Sequence, residues 1–247
     1  MRSFGITLKN ELLRMTRRKK LLAGIIISAI IPILIVLANA PSLVRNITLI
    51  YREDLIRTAL SLFTPMILPL LAIVLVADAF IDEQSKGSLK TTLLLPDTRN
   101  RHFTAKVISS FIGTSAMILT LWVFSIVSGL ALPSRGGWLL SIGMGLLQSV
   151  ASLLPIIMVT GFSVLVSQFI KSGSGMVFTL MGLSLLLKLL PLWVGDFSGI
   201  LPTTWLGFGV NVGNLSITSI LYALAVMLFW TVVSGGIAII RFERKVM

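Results

Sequence analysis

The sequence contains no cysteine, a single histidine and few acidic side chains. Of its 247 residues, nine are Asp or Glu and 12% are charged, whereas 55% are hydrophobic and the mean hydropathy is +0.99. The lack of cysteine excludes disulfides and thiolate metal sites, and one histidine, His102, excludes a multi-histidine metal site. Soluble globular domains carry about 25% charged residues, so this composition indicates a membrane protein.

Catalytic and phosphate-binding patterns are also missing. No pair of acids and no Ser/His/Asp set converges from neighbouring segments, so we predict no catalytic residue. The glycine-rich stretch from Lys171 to Gly175 lacks the lysine that must follow the second glycine of a phosphate loop, so the chain is not an ATPase. We interpret it as a tight turn.

Long apolar runs are abundant by contrast. A hydrocarbon core of about 30 Å needs about 20 apolar residues per helix. Six segments predict an all-α polytopic membrane protein with six transmembrane helices, at 21–40, 58–80, 107–132, 146–170, 175–194 and 217–240. In the fourth we expect a tilted helix, or one kinked at Pro155 and preceded by a short interfacial helix.

The basic residues predict the orientation. With the N-terminus inside, 16 of the 21 Lys and Arg residues lie in inner segments, four lie outside and Lys188 lies in a span. Because Lys and Arg near span ends stay in the cytoplasm, both termini are predicted to be cytoplasmic. The net charge of +12 therefore reflects topology, and no nucleic-acid partner is predicted. Span one resembles a signal peptide, but its apolar run is too long for one.

Two segments at other places outside the main spans, 1–20 and 195–216, have their own patterns. Residues 1–20 predict an amphipathic interfacial helix, because Phe4, Leu8 and Leu12 share one face, although a basic flank that happens to be helical is the simpler alternative. Residues 195–216 are too interrupted for a span and too apolar for a water-exposed loop, which predicts a re-entrant outer segment. No linker divides the chain, so 1–247 is treated as one domain.

Lys188 is the clear candidate for an ionisable side chain at membrane depth. The scarcity of such groups argues against a proton- or sodium-coupled transporter. A lysine whose ammonium reaches toward the membrane surface is the favoured interpretation, with a substrate ligand as the alternative.

The polar stretch 81–106 lies between spans two and three. Acids end span two, Ser85 can cap a helix, and a short helix is expected from about 86 to 95 with Leu89 and Leu93 on one face. Three consecutive leucines at 93–95 would cost about 0.8 kcal/mol per exposed CH₂ unless something covers them. Either lipid headgroups or a protein partner must therefore cover this loop.

The order of residues in this loop resembles the inner-loop signature of ABC-2 type permeases, the membrane subunits of ATP-binding-cassette exporters. The matching positions are Glu83, Gly87, Ser88, Leu89, Lys90, Leu93, Pro96, Arg99 and Lys106. The resemblance extends to the basic N-terminal helix, the six spans with both termini inside, and a Pro-x-x-Trp at Pro202 and Trp205.

The resemblance implies that these loop residues form a coupling helix seated on a cytosolic ATPase dimer, which holds ATP and Mg while this chain holds no cofactor. It also implies a second permease copy or a related permease, a bacterial plasma membrane, and Pro202 and Trp205 at the outer gate. The expected function is ATP-driven export of a hydrophobic or amphipathic cargo, such as an antimicrobial peptide, another peptide or a drug. A non-transporting sensor or assembly component is the alternative, and a membrane-embedded enzyme of lipid chemistry is disfavoured.

Overall fold

The computed structural model describes residues 2–44, 50–85, 99–170, 172–190 and 199–245, which hold helices and turns and no strand. The predicted all-helical architecture is therefore confirmed. The α-helices are α1 Arg2–Thr16, α2 Lys19–Val44, α3 Arg52–Leu62, α4 Leu68–Ser85, α5 Arg99–Gly129, α6 Trp138–Ala151, α7 Leu153–Ser167, α8 Gly173–Leu189, α9 Phe208–Asn211 and α10 Ile217–Lys245.

Five helical stretches of the described chain are long and apolar enough to cross a membrane: Lys19–Asn39, Arg52–Ile81, Asn100–Gly129, Trp138–Ser167 and Ile217–Phe242. They correspond to five of the six predicted spans. The remaining prediction, 175–194, overlaps the shorter apolar helix Gly173–Leu189. A multi-pass membrane protein is thus established, and the sixth span stays a prediction.

The second span is longer than predicted and contains an irregular turn. It begins at Arg52 instead of residue 58, and the π-helical turn Phe63–Ile67 joins α3 to α4. Pro65 and Pro69 lie at this turn, and a proline cannot donate the backbone hydrogen bond of a regular helix. Hydropathy does not predict the first turns of α3, because the charged residues there keep the local mean hydropathy low.

Helix ends elsewhere also differ from the predictions. The N-terminal helix ends at Thr16 instead of residue 20, and α5 runs over Arg99–Gly129 instead of 107–132. Ser85 is the last residue of α4. The break in the fourth span falls at Ser152, between α6 and α7, three residues before Pro155.

The helix α1 lies against α5. Its buried residues are Thr7 and Glu11, each 8% exposed, whereas Phe4, Leu8 and Leu12 of the predicted apolar face are half-buried. Protein packing is therefore centred on the polar pair and covers the predicted apolar face only in part.

The bundle is built around α4. Helices α5, α7 and α8 pack against it, while α2 packs on α5 and α10 packs on α7. Asp78 lies near one end of α4 and Arg52 begins α3, so we call the two ends of the bundle the Asp78 end and the Arg52 end. The turn before α6 at the Arg52 end uses Gly136 and Gly137 at φ +104° and +81°, a conformation that glycine adopts without strain.

The segment 199–214 runs beside the middle of α10. It consists of the 3₁₀ turn Pro202–Gly207, helix α9 and the 3₁₀ turn Val212–Asn214. Trp230 donates its indole N–H to the Ile200 carbonyl at 3.0 Å, and Trp230 lies about 20 Å along α10 from the helix start. This backbone therefore reaches well down the length of a membrane-spanning helix.

Candidate functional site

The predicted coupling loop connects two helices whose ends are packed together. Glu83 lies in the last turn of α4 and Arg99 begins α5, while Gly87, Ser88, Leu89, Lys90, Leu93 and Pro96 lie outside the described residues. Phe80 of α4 and Phe103 of α5 meet edge to face with ring centroids 5.6 Å apart, and both are buried. The loop therefore leaves and re-enters the bundle at one place.

Lys106 fastens these two helix ends to each other. Its ammonium donates a hydrogen bond to the Ala79 carbonyl at 3.0 Å and lies 5.7 Å from the centroid of the Phe80 ring. The residue is 5% exposed. The contact with an ATPase predicted for Lys106 stays a prediction.

An aromatic contact extends this junction to the last helix. Phe103 lies 5.1 Å from Phe242 of α10, centroid to centroid, and both side chains are buried. Three helices, α4, α5 and α10, therefore share one packed cluster beside the loop. A displacement of the loop would reach all three helices together.

Asp78 joins the N-terminal segment to α4 at the same end. Its carboxylate accepts from Arg18 at 2.6 Å and from Lys20 at 2.8 Å. The side chains of Asp78 and Arg18 are 9% and 20% exposed, so their ion pair is largely shielded from solvent, whereas Lys20 is 45% exposed. Sequence reasoning missed this site, although an acid at a span end, opposite a cluster of basic residues, was the available signal.

Polar contacts at the Arg52 end hold α3 to the turn between α5 and α6. The Arg52 guanidinium donates to the carbonyls of Gly129, Leu130 and Leu132 at 3.0–3.3 Å, and these are the last carbonyls of α5 and of the turn that follows. Such carbonyls have no helical partner of their own. From its position in the sequence, Arg52 was predicted only as one of the four basic residues outside, so this cap was also missed.

Glu53 reinforces the same contact. Its carboxylate accepts from the Ser134 hydroxyl and from the backbone N–H groups of Arg135 and Gly136. The Arg135 guanidinium in turn lies 3.4 Å from the centroid of the Tyr51 ring. The start of α3 and the turn before α6 are thus joined by charge-assisted bonds.

The two gate candidates hold the 3₁₀ turn in place. Pro202 begins that turn and is buried, and Trp205 donates its indole N–H to the Gly199 carbonyl at 2.7 Å. The Trp205 ring meets Tyr222 of α10 at 6.0 Å. Their role in gating stays a prediction.

Lys188 of α8 donates to the Pro65 carbonyl at 2.9 Å. Pro69 has no N–H to give to that carbonyl one turn earlier, so the lysine supplies the missing donor. Within the described residues, no group of three or more His, Asp or Glu side chains could hold a metal ion.

The long apolar helices define a multi-pass membrane protein, in which the end of the second span packs against the start of the third. Comparison with family profiles gives a match to "ABC-2 family transporter protein" over residues 7–174. The chain belongs to this ABC-2 family of membrane transport components. Comparison with curated proteins finds no significant match.

Proposed function

We propose that this chain is the permease subunit of an ATP-driven exporter. It acts with a cytosolic ATPase dimer, which binds ATP and Mg, and with a second permease copy. Its cargo is a hydrophobic or amphipathic molecule, such as an antimicrobial peptide, another peptide or a drug. Six spans place both termini in the cytoplasm of a bacterial cell, and the Asp78 end is the cytoplasmic end.

Membership of the ABC-2 family, which pairs permeases with ATPase subunits, is the observation that carries this proposal. The geometry of the loop supports it. A coupling element can transmit force only if its two ends are firmly joined to the bundle. The Lys106–Ala79 hydrogen bond and the Phe80–Phe103 contact provide that joint. Movement of the loop would therefore shift α4 and α5 as one body.

The residues assigned to the ATPase contact follow from the resemblance. Leu89 and Leu93 would fill a groove on the ATPase, with Glu83, Lys90 and Arg99 at its rim. Gly87, Ser88 and Pro96 would shape the short helix. Lys106 would act from inside the bundle, which its burial supports.

The segment 199–214 supports an export path closed on its outer side. Irregular backbone at membrane depth is tolerated where protein buries it or where it lines a cavity. Pro202, Leu206 and Phe208 are buried in the structure, so protein covers much of this segment. We propose that Pro202 and Trp205 hold it as an outer gate.

Leu89→Asp and Leu93→Asp test the ATPase contact. A charge in the apolar contact should abolish co-purification of the proposed ATPase subunit when the two are co-expressed, while membrane insertion stays at the wild-type level. Thr91→Asp, two residues from either leucine and on the other helical face, is the matched control and should retain the ATPase. Recovery of the ATPase at wild-type yield with both leucine variants would contradict the proposed contact.

Transport itself is tested on the complex in lipid nanodiscs. The exporter assignment predicts ATP hydrolysis that rises when an amphipathic peptide or drug is added, and native mass spectrometry showing two permeases with two ATPases. A complex that hydrolyses ATP at a rate independent of every cargo class would favour the alternative, a non-transporting sensor or assembly component.

A further inference from the structure

A cavity of about 160 Å³ opens on one side of the bundle between α4, α7, α8 and the 3₁₀ turn Pro202–Gly207. Its walls include Pro65 and Ile73 of the second span, and Leu180 and Lys188 of α8. Each of these pairs is eight residues apart, so the cavity follows both helices for about 12 Å. The space is elongated, with Lys188 and Pro65 at the same end.

The cavity wall is apolar apart from three hydroxyls and one ammonium. Each hydroxyl already donates to a backbone carbonyl: Ser163 to Val159, Ser184 to Met181 and Thr203 to Leu187. The Lys188 ammonium has three N–H donors and gives one to the Pro65 carbonyl. No carboxylate is present among the described residues that line this space. Lys188 thus keeps donors and a positive charge for a ligand.

We propose that this cavity binds one long-chain fatty carboxylate from the bilayer, with the carboxylate paired with Lys188 and the adjoining part of the acyl chain between α4, α7 and α8. The elongated apolar space takes that part of the chain, and the rest leaves through the open side of the cavity into the bilayer. The Lys188 ammonium at one end of this space favours an acidic head group over a neutral one. The Pro65 carbonyl holds the ammonium at that end. The site belongs to one chain and does not depend on ATP-driven transport.

The binding test uses the full-length chain purified in detergent and a photoactivatable palmitate with a diazirine on its chain. Cross-linked peptides should fall within 158–163 and 180–188. Lys188→Gln should lower palmitate affinity about tenfold, because it removes the charge-assisted bond to the carboxylate. Lys188→Arg keeps the charge and should bind within about threefold of the wild type. Lys9→Gln, an exposed position on α1, removes an equal charge elsewhere and should change nothing.

Two further measurements separate binding from folding. A palmityl alcohol probe with the same chain should bind wild type and Lys188→Gln equally, which shows that the cavity survives the substitution. Ser184→Phe, which fills the wall of the cavity but leaves Lys188 in place, should block both probes. Equal palmitate affinity in wild type and Lys188→Gln, or cross-links confined to other helices, would overturn the proposal.

Discussion

Asp78 is one carboxylate with two cationic partners from a different part of the chain. Asp78→Asn keeps the size of the side chain but removes the charge that Arg18 and Lys20 share. We expect the free energy of unfolding to fall by about 1–3 kcal/mol, the range for hydrogen bonds to charged groups. Thermal unfolding in detergent measures the change. Trypsin should also cleave faster after Arg17 and Arg18, because the segment loses its attachment to α4.

Asp54→Asn is the matched control for this substitution. Asp54 is an exposed carboxylate on α3, near the opposite end of the bundle. Its neutralisation should change stability by only a few tenths of a kcal/mol, about the size of a surface helix-dipole effect. An equal fall in the free energy of unfolding in both variants would mean that the total charge, and not the Asp78 contact, determines the effect.

Gly209 is the position where α9 comes closest to the α6–α7 break. A Cβ atom there would lie 2.1 Å from the Ser152 Oγ, 2.5 Å from the Ser152 backbone nitrogen and 2.6 Å from the Gln148 carbonyl oxygen. Backbone atoms cannot move aside as a flexible side chain can. Gly209→Ala should therefore cost about 1–3 kcal/mol of unfolding free energy through overpacking.

A second glycine gives the control for this experiment. Gly182 lies in α8, and a Cβ there meets no atom within 4 Å. Gly182→Ala should raise helix stability by up to about 1 kcal/mol. Thermal unfolding should therefore move in opposite directions for the two variants, and a downward shift of equal size in both would contradict the proposed contact of α9.

The contact between α3 and α5 depends on Arg52, a side chain of α3 that caps the end of α5. Arg52→Gln removes the guanidinium that bonds three carbonyls at the end of α5. Hydrogen exchange of the amides at 130–132 should become about tenfold faster, since this turn would open more readily. Arg57→Gln, one helical turn further along α3 and exposed, should leave that exchange unchanged.

The junction of α4 and α5 makes a separate prediction within the proposed function. Lys106→Met removes the ammonium from the Ala79 carbonyl but keeps an unbranched side chain. We expect ATPase co-purification to persist while cargo-stimulated ATP hydrolysis falls, because the loop would no longer move both helices together. Loss of co-purification would instead place Lys106 in the ATPase contact itself.

The elements that could be predicted best from the sequence were those that hydropathy determines. A membrane-spanning helix must be long and apolar, so 21–40 and 217–240 already indicated the spans later found at Lys19–Asn39 and Ile217–Phe242. The π turn at Phe63–Ile67 was not predicted, because prolines within a transmembrane helix are compatible with several local geometries. The turn also receives a hydrogen bond from Lys188, a residue far away in sequence, which local sequence cannot indicate.

The other features that the sequence did not predict are contacts between segments that lie far apart along the chain. Asp78 was predicted at a span end, yet its partners Arg18 and Lys20 follow only from how α1 and α2 meet α4. Arg52 likewise finds the end of α5 only in the folded bundle. The loop signature at 86–98 rests on resemblance alone, since those positions lie outside the described residues.

At the scale of the whole molecule, neighbouring segments hold the second span near both of its ends, and the span is irregular between them. Arg52 holds one end to α5, Asp78 holds the other to the N-terminal segment, and the π turn with Pro65 and Pro69 lies between. A helix that is held near both ends bends where its hydrogen bonding is irregular, and here that place is the π turn. A displacement applied at the Asp78 end would therefore change the angle of the span at the Arg52 end, with little sliding along its axis.

Pro69→Ala tests that consequence, because it returns an N–H to the Pro65 carbonyl and stiffens the π turn. The variant should melt at a higher temperature yet move less cargo per ATP hydrolysed, whereas Pro133→Ala, outside the span, should do neither. If bending of the second span drives transport, the more stable variant would transport less cargo.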